Sequence, residues 1–171
     1  MEALKEHTIQ FTGLKDGQHK FQFELGHDFF VAAAEEELHG GAVNVEVTLD
    51  QTPTLLVTHI RTQGTVDTIC DHCGGELALE VAGDQRQIFQ LVGEPQEDDD
   101  ELVTLDPKDH SINLTHYIYE CLRLALPARR VHAQGACDPE ADAALGKFSV
   151  EHEPVPDPRW DALKQLKHKR P

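Results

Sequence analysis

Two cysteines separated by two residues mark the most constrained point of this sequence. Cys70 and Cys73 stand directly before Gly74 and Gly75, between two segments that alternate like strands. Glycine supplies the open dihedral angles that such a turn needs, so the pair is predicted to lie on a turn between strands. A Cys-x-x-Cys turn points both sulfurs at one centre, which suits half of a tetrahedral zinc site or a redox pair.

His132 and Cys137 are the residues that could complete a zinc site. Both lie in a segment that is predicted to be a loop, and with Cys70 and Cys73 they make a Cys3His ligand set. Their spacing is wider than that of a tight structural half-site, so a free Cys137 in a loop is the alternative. The fourth cysteine, Cys121, is predicted to be a small buried hydrophobic residue.

Acidic residues dominate the charge of the chain. The 171 residues include 31 acidic and 15 basic side chains, for a formal net charge of -16. This charge repels phosphate backbones and anionic lipids, so basic proteins are the expected partners; the alternative is that acidity only maintains solubility. The sequence shows no membrane span and no signal peptide. We therefore expect a cytoplasmic protein, whose cysteines are thiols or metal ligands rather than disulfides.

Alternating apolar residues predict β-structure through the first ninety residues. The clearest strand covers residues 43–49, where every second residue is apolar. Residues 9–11 and 21–25 flank a turn signal and predict a hairpin, whereas residues 28–34 fit either a strand or a short helix. Further strands lead into and out of the Cys-x-x-Cys turn, with a bulge or bend predicted at Gly64. Such closely spaced strands predict an antiparallel sheet that is strongly bent or barrel-like.

Two helices are predicted after the strands. Residues 114–125 repeat apolar side chains on one helical face after an N-cap at Asn113, which predicts one main helix that covers the sheet. Residues 157–167 begin with a cap and a proline and predict a C-terminal helix. The predicted fold class is therefore α+β. Residues 1–153 are expected to form a single domain, followed by the C-terminal helix and a basic tail at 154–171.

The segment 94–101 is predicted to be a mobile acidic loop, since it holds six carboxylates and no apolar residue. It lacks the glycine and the distal glutamate of a calcium loop. We expect this loop and the start of the C-terminal helix to contact a partner protein. The candidate partner-binding residues are Glu97, Asp98, Asp99, Asp100, Glu101, Arg159 and Trp160.

Three motifs follow the Cys-x-x-Cys turn and the acidic loop: Leu105-Asp106 through Ile112-Asn113-Leu114, Leu124-Ala125-Leu126-Pro127, and Asp157-Pro158-Arg159-Trp160 with Leu163 and Leu166. The order of all these signals, from about Gly64 to Leu166, resembles the YceD family, the bacterial large ribosomal RNA subunit accumulation proteins, which plant plastids share. Two departures concern the cysteines. His72 and Gly74 replace a common arginine and leucine, and only Cys137 remains of a second cysteine cluster.

The resemblance implies a cytoplasmic factor that supports the accumulation or processing of large-subunit (23S) ribosomal RNA, without a known enzymatic step. Together with the acidity, it suggests a non-enzymatic factor that binds a basic large-subunit ribosomal protein or a pre-ribosomal particle; direct RNA contact stays open. One alternative is a structural zinc-knuckle binding module. The other is a thiol-dependent redox or RNA-modifying enzyme, with Cys70 or Cys73 activated by His72.

Overall fold

The computed structural model describes residues 4–33, 37–91, 102–106, 108–149 and 159. The chain divides into two compact units, Met1–Cys137 and Asp138–Pro171. The predicted acidic loop 94–101, the boundary at 153/154 and the C-terminal helix lie outside the described residues, apart from Arg159, which is exposed. No helix in the described ranges is long and apolar enough to cross a membrane.

The first unit has the predicted α+β fold. It opens with a short 3-10 helix, Lys5–His7, and continues with strands and two helices in the order β1 (Thr8–Gln10), β2 (Gly17–Leu25), α1 (His27–Ala33), β3 (Gly40–Gln51), β4 (Leu55–Ile69), β5 (Glu76–Leu91), β6 (Leu102–Leu105), β7 (Ser111–Asn113) and α2 (Thr115–Ala125). Of residues 28–34, which fitted either a strand or a helix, the described residues 28–33 belong to α1.

Five strands form the main sheet in the order β2-β3-β4-β5-β6. All neighbours are antiparallel except β5 and β6, which run parallel. The edge strands β2 and β6 do not pair with each other within the described ranges, so the sheet is open; a strong bend stays a prediction. The predicted hairpin between residues 9–11 and 21–25 is wrong, because β1 instead pairs with the distant β7.

The core lies between one face of this sheet and the helices. Strand residues of β3 and β4 are alternately buried and exposed, and Ile118 and Leu122 of α2 are fully buried. Burying each of these two side chains contributes about 1.5–3 kcal/mol. The backbone of α2 approaches β5 at Gly83, where an added Cβ would lie 2.9 Å from the carbonyl oxygen of Cys121. Gly83 is therefore required for the close contact of helix and sheet.

Gly64 also serves a close contact rather than a bulge. The strand register continues without interruption through Gly64, which lies opposite Val43 on one side and Val81 on the other. An added Cβ would come within 2.6 Å of the Val43 Cα. The predicted bulge at this position is therefore wrong, and the absence of a side chain lets β3 and β4 approach.

The N-terminal segment is attached to the start of α2. The Asn113 side chain accepts a hydrogen bond from the Thr115 backbone N–H at 3.1 Å, although Leu114 occupies the N-cap position itself. The same side chain donates to the carbonyl oxygen of Leu4 at 2.8 Å. Nearby, His7 is buried, and its Nδ1 lies 3.3 Å from the Thr115 hydroxyl. Asn113 thus caps the helix and anchors the N-terminal segment.

The second unit contains one described helix, α3 (Pro139–Phe148). Asp138 caps it by accepting a hydrogen bond from the Glu140 backbone N–H at 3.2 Å, and Pro139 fits the first turn. The sequence interpretation did not include this helix. Its signal is the Asp-Pro-Glu start, which resembles the signal used to predict the C-terminal helix.

Candidate metal centre

The Cys-x-x-Cys pair lies on the turn that joins β4 to β5, as predicted. The Cys70 backbone N–H donates to the carbonyl oxygen of Gly75 at 2.8 Å, and the Gly74 N–H donates to the carbonyl oxygen of Cys70 at 2.9 Å. Gly74 has a φ of 71°, in the left-handed region that favours glycine. These two bonds close the turn and hold both sulfurs on it.

Asp71 binds the loop that follows α2 to this turn. Its backbone N–H donates to the carbonyl oxygen of Arg130 at 2.7 Å, and its Oδ2 accepts from the Arg130 backbone N–H at 2.7 Å. The Arg130 Nη2 lies 3.3 Å from Oδ1 of the same carboxylate. The backbone hydrogen bond from Arg130 is the main cause that lowers the pKa of Asp71. This pairing places the loop with His132 and Cys137 beside the turn.

A chain of charged groups connects the same loop to the helices. The Nη1 atom of Arg130 lies 3.7 Å from Oε1 of Glu37, a residue that follows α1. The other carboxylate oxygen of Glu37 lies 2.6 Å from Nη2 of Arg123, in the last turn of α2. Glu37 is therefore shared by two arginines, one on the helix and one in the loop.

Four donor atoms converge between the turn and the loop. The Sγ atoms of Cys70 and Cys137 are 4.0 Å apart, and the His132 Nδ1 lies 3.4 Å from the Cys73 Sγ and 3.7 Å from the Cys137 Sγ. All four atoms lie within 4.8 Å of one another. A tetrahedral zinc ion requires about 3.8 Å between sulfurs and about 3.6 Å between sulfur and nitrogen. The four side chains therefore form a possible metal site.

The orientation of His132 suits this site. Its Nε2 lies 2.9 Å from the backbone carbonyl oxygen of Glu76, which can only accept, so this nitrogen carries a proton. In the neutral ring the Nδ1 lone pair is then left facing the sulfurs. Metal-binding histidines commonly use their second nitrogen in this way, which fixes the ring and its tautomer.

The pKa values of three of the four groups are shifted. Backbone hydrogen bonds, the largest from Cys73, lower the pKa of Cys70 to about 6. Burial, with the neighbouring Cys73 and Cys70, raises the pKa of Cys137 to about 11. The hydrogen bond to Glu76 raises the pKa of His132. Without a cation the cluster thus resists holding three thiolates, whereas a coordinated thiol loses its proton outright.

The structure brings together all four residues of the predicted metal site, Cys70, Cys73, His132 and Cys137. The three cysteines form no disulfide, which fits a metal site or a reduced redox pair. Cys121 is buried against the sheet, 3.6 Å from the Thr62 hydroxyl, and burial raises its pKa, as expected for a small core residue. Of the predicted partner-binding residues only Arg159 is described.

The sequence interpretation missed the residues that position the ligands. Asp71 and Arg130 fix the loop, and the carbonyl group of Glu76 orients His132. A carboxylate between two cysteines is a weak signal for such a role, because its partner is 59 residues away. A backbone carbonyl group has no sequence signal at all.

Comparison with known proteins identifies the family. The family model described as Large ribosomal RNA subunit accumulation protein YceD matches residues 58–167. This region includes most of β4, the whole of β5, α2 and α3, and all four residues of the possible metal site. No curated protein and no solved structure matches the chain at a significant level. Because the family model covers well over half of the chain, the protein belongs to the YceD family of large ribosomal RNA subunit accumulation proteins.

Proposed function

We propose that this protein is a non-enzymatic, cytoplasmic ribosome-biogenesis factor. It supports the accumulation or processing of 23S ribosomal RNA by binding a basic large-subunit ribosomal protein or a pre-ribosomal particle. The observation that carries the proposal is the YceD family match on a chain with a net charge of -16. The family gives the process, and the charge favours a cationic protein over naked RNA as the direct partner.

Charge complementarity is the reason to expect a basic partner protein. Ribosomal proteins rich in lysine and arginine need their charge shielded before they meet RNA, and an acidic surface attracts them at long range. The proposed contacts are the carboxylates of residues 97–101, together with Arg159 and Trp160. Such binding weakens as salt rises, because exposed charges are screened beyond about 8–10 Å at physiological ionic strength.

We also propose that the metal centre holds a structural zinc ion. Zinc prefers tetrahedral sulfur and nitrogen ligands, and the Cys3His set leaves no coordination position for a substrate. The role of the ion is then to join the β4–β5 turn to the loop after α2. Metal analysis of the purified protein tests this role: stoichiometric zinc supports it, and absence of zinc after purification without chelators contradicts it.

Thiol-dependent chemistry is the less favoured alternative. A nucleophilic cysteine needs an exposed thiolate, but Cys70, whose pKa is lowered, is only 1% exposed. Alkylation of the purified protein separates the two functions. With zinc bound, the proposed binding factor should resist alkylation at Cys70 and Cys73 and keep its partner, whereas a thiol enzyme should be alkylated there and lose its activity.

The decisive experiment is a pull-down of the tagged full chain from its own host at low and moderate salt, with and without ribonuclease. Retention of a basic large-subunit ribosomal protein after ribonuclease, with release by salt, supports the proposal. Capture that requires intact RNA contradicts it. A variant with Asp98, Asp99 and Asp100 changed to asparagine tests the acidic segment, and unchanged, equally salt-sensitive capture would remove that segment from the proposed interface.

A further inference from the structure

Within the described part of the first unit, one face of the main sheet is free of covering helices. Side chains that alternate away from the core on β2, β3, β4 and β5 are exposed over the middle of these strands. The strand register aligns them in transverse rows. One row contains Gln22, Glu46, Arg61 and Asp84, and the next outward row contains Glu24, Asn44, Gln63 and Ala82.

These two rows enclose a groove of about 540 Å³ that runs across the four strands. Its floor is formed by the row between them, Phe23, Val45, Thr62 and Gly83. At the β5 end the groove is bordered by Ala82, which contributes only a methyl group. Four strands span about 14 Å between the outer two, which is the length of about four residues of extended chain.

The groove is lined by carboxylates and amides. Glu46 pairs with Lys20 at 3.2 Å, and Asp84 pairs with Arg61 at 2.9 Å, whereas no cation lies against Glu24 within the described ranges. Among the described residues that line the groove, Arg61 is the one cation against three carboxylates, so this lining is net negative. The amides of Gln22, Asn44 and Gln63 can both donate to and accept from a peptide backbone.

We propose that this groove binds an extended, lysine- or arginine-rich segment of a partner protein. The proposal rests on the proposed function, to which it adds a second contact within the described residues. An extended segment places alternate side chains on one face, so its basic side chains reach Glu24, Glu46 and Asp84 while the amides bond its backbone. RNA is disfavoured there, because the lining carries more negative than positive charge and has no exposed aromatic ring for stacking.

The experiment uses the full chain and a fluorescent peptide of about eight residues in which lysine and threonine alternate. Fluorescence anisotropy is measured from about 20 to about 200 mM salt, since a charged interface weakens over this range. The groove variant is the double substitution Glu24→Gln and Glu46→Gln. Its matched control is Asp16→Asn with Glu140→Gln, which changes the net charge equally at exposed positions outside the groove.

We expect the groove variant to bind the peptide about tenfold more weakly, since each exposed ion pair contributes a few-fold to affinity. The matched control is expected to change affinity less than about twofold. The neutral substitution Ala82→Gln fills the hollow without changing charge, and it is also expected to weaken binding. Backbone amide NMR signals of Asn44 and Gln63 should shift during the titration.

Three results would contradict the proposal that the groove binds a basic segment. Equal loss in the groove variant and its control would show that only total charge matters. Unchanged binding in both the Ala82→Gln variant and the groove variant would place the contact elsewhere. A single-stranded RNA of about eight nucleotides that shifts the same amide signals, while the peptide does not, would assign the groove to RNA. Partner capture from the host tests the proposed function separately. That function can therefore stand even when the proposal that the groove binds a basic segment is contradicted.

Discussion

Asp71 and Arg130 form two hydrogen bonds of 2.7 Å across 59 residues of sequence, one between their backbones and one from the Arg130 backbone N–H to the Asp71 carboxylate. Replacement of Asp71 by alanine removes the carboxylate that accepts one of them and pairs with the guanidinium group. Because such supporting interactions hold ligands in place, we expect zinc affinity to fall about 10–100-fold. Competition with a chromophoric chelator measures the change. Asp16→Ala, at an exposed position away from the site, should have no effect; an equal affinity for Asp71→Ala would mean that the ligands position themselves.

Substitution of a ligand should remove the metal. The variant Cys73→Ser is expected to lose stoichiometric zinc, and its thermal midpoint should no longer respond to chelator, since ligand binding to the native state stabilises it. Cys121→Ala is the control, because this buried cysteine lies outside the cluster. Mass spectrometry of metal content and thermal unfolding give the two readouts. Full zinc content in the Cys73 variant would exclude this residue as a ligand.

Gly83 sets the distance between α2 and the sheet. An alanine there would place its Cβ 2.7 Å from the Thr62 hydroxyl oxygen and 2.9 Å from the Cys121 carbonyl oxygen. We expect Gly83→Ala to lower the free energy of unfolding by about 1–3 kcal/mol, the usual cost of overpacking. Gly146→Ala in α3 meets no atom within 4 Å and should be neutral or slightly stabilising. Urea denaturation compares them, and equal stabilities would contradict the close contact.

Burial of His7 should make the protein sensitive to acid. Burial lowers its pKa from 6.5, although the nearby Glu6 opposes the shift. The folded protein therefore binds fewer protons than the unfolded chain as the pH falls below about 6.5. The stabilisation from neutral His7 is present above this pH and is lost as the pH falls through the lowered pKa.

Urea denaturation at pH values between about 7.5 and 5 checks this prediction. The variant His7→Asn should lose part of the decrease in unfolding free energy over that range, while His116→Asn, at an exposed position, should keep it. A pH dependence that is identical in the wild type and both variants would mean that other groups control acid stability.

The sequence predicted the residues of the possible metal site better than it predicted the strand topology. Cys70, Cys73, His132 and Cys137 were selected because they are zinc-binding residue types in a predicted turn and a predicted loop. The strand at 43–49 and the face of α2 followed from periodicity. The hairpin failed because β1 has only three residues, and its partner β7 is chosen by tertiary packing rather than by the intervening turn.

Other features have no local pattern. Gly64 and Gly83 are ordinary glycines in the sequence, and only the neighbouring backbone shows why no side chain fits. The helix α3 has no buried residue, so its apolar side chains gave no clear core-facing stripe, although its capping residues were present. The Asp71–Arg130 pairing depends on two segments that meet only in the folded chain.

The two halves of the metal site are distant in sequence, with Cys73 and His132 separated by 59 residues. Between them the chain must complete β5, the edge strand β6 and the whole of α2 before the donor atoms meet. Closing such a long loop is entropically costly in an unfolded chain, so a newly made polypeptide cannot assemble the full ligand set early. A metal ion held by all four residues would therefore bind only after the fold is complete. Its content would then report the fraction of chains that have reached the native state.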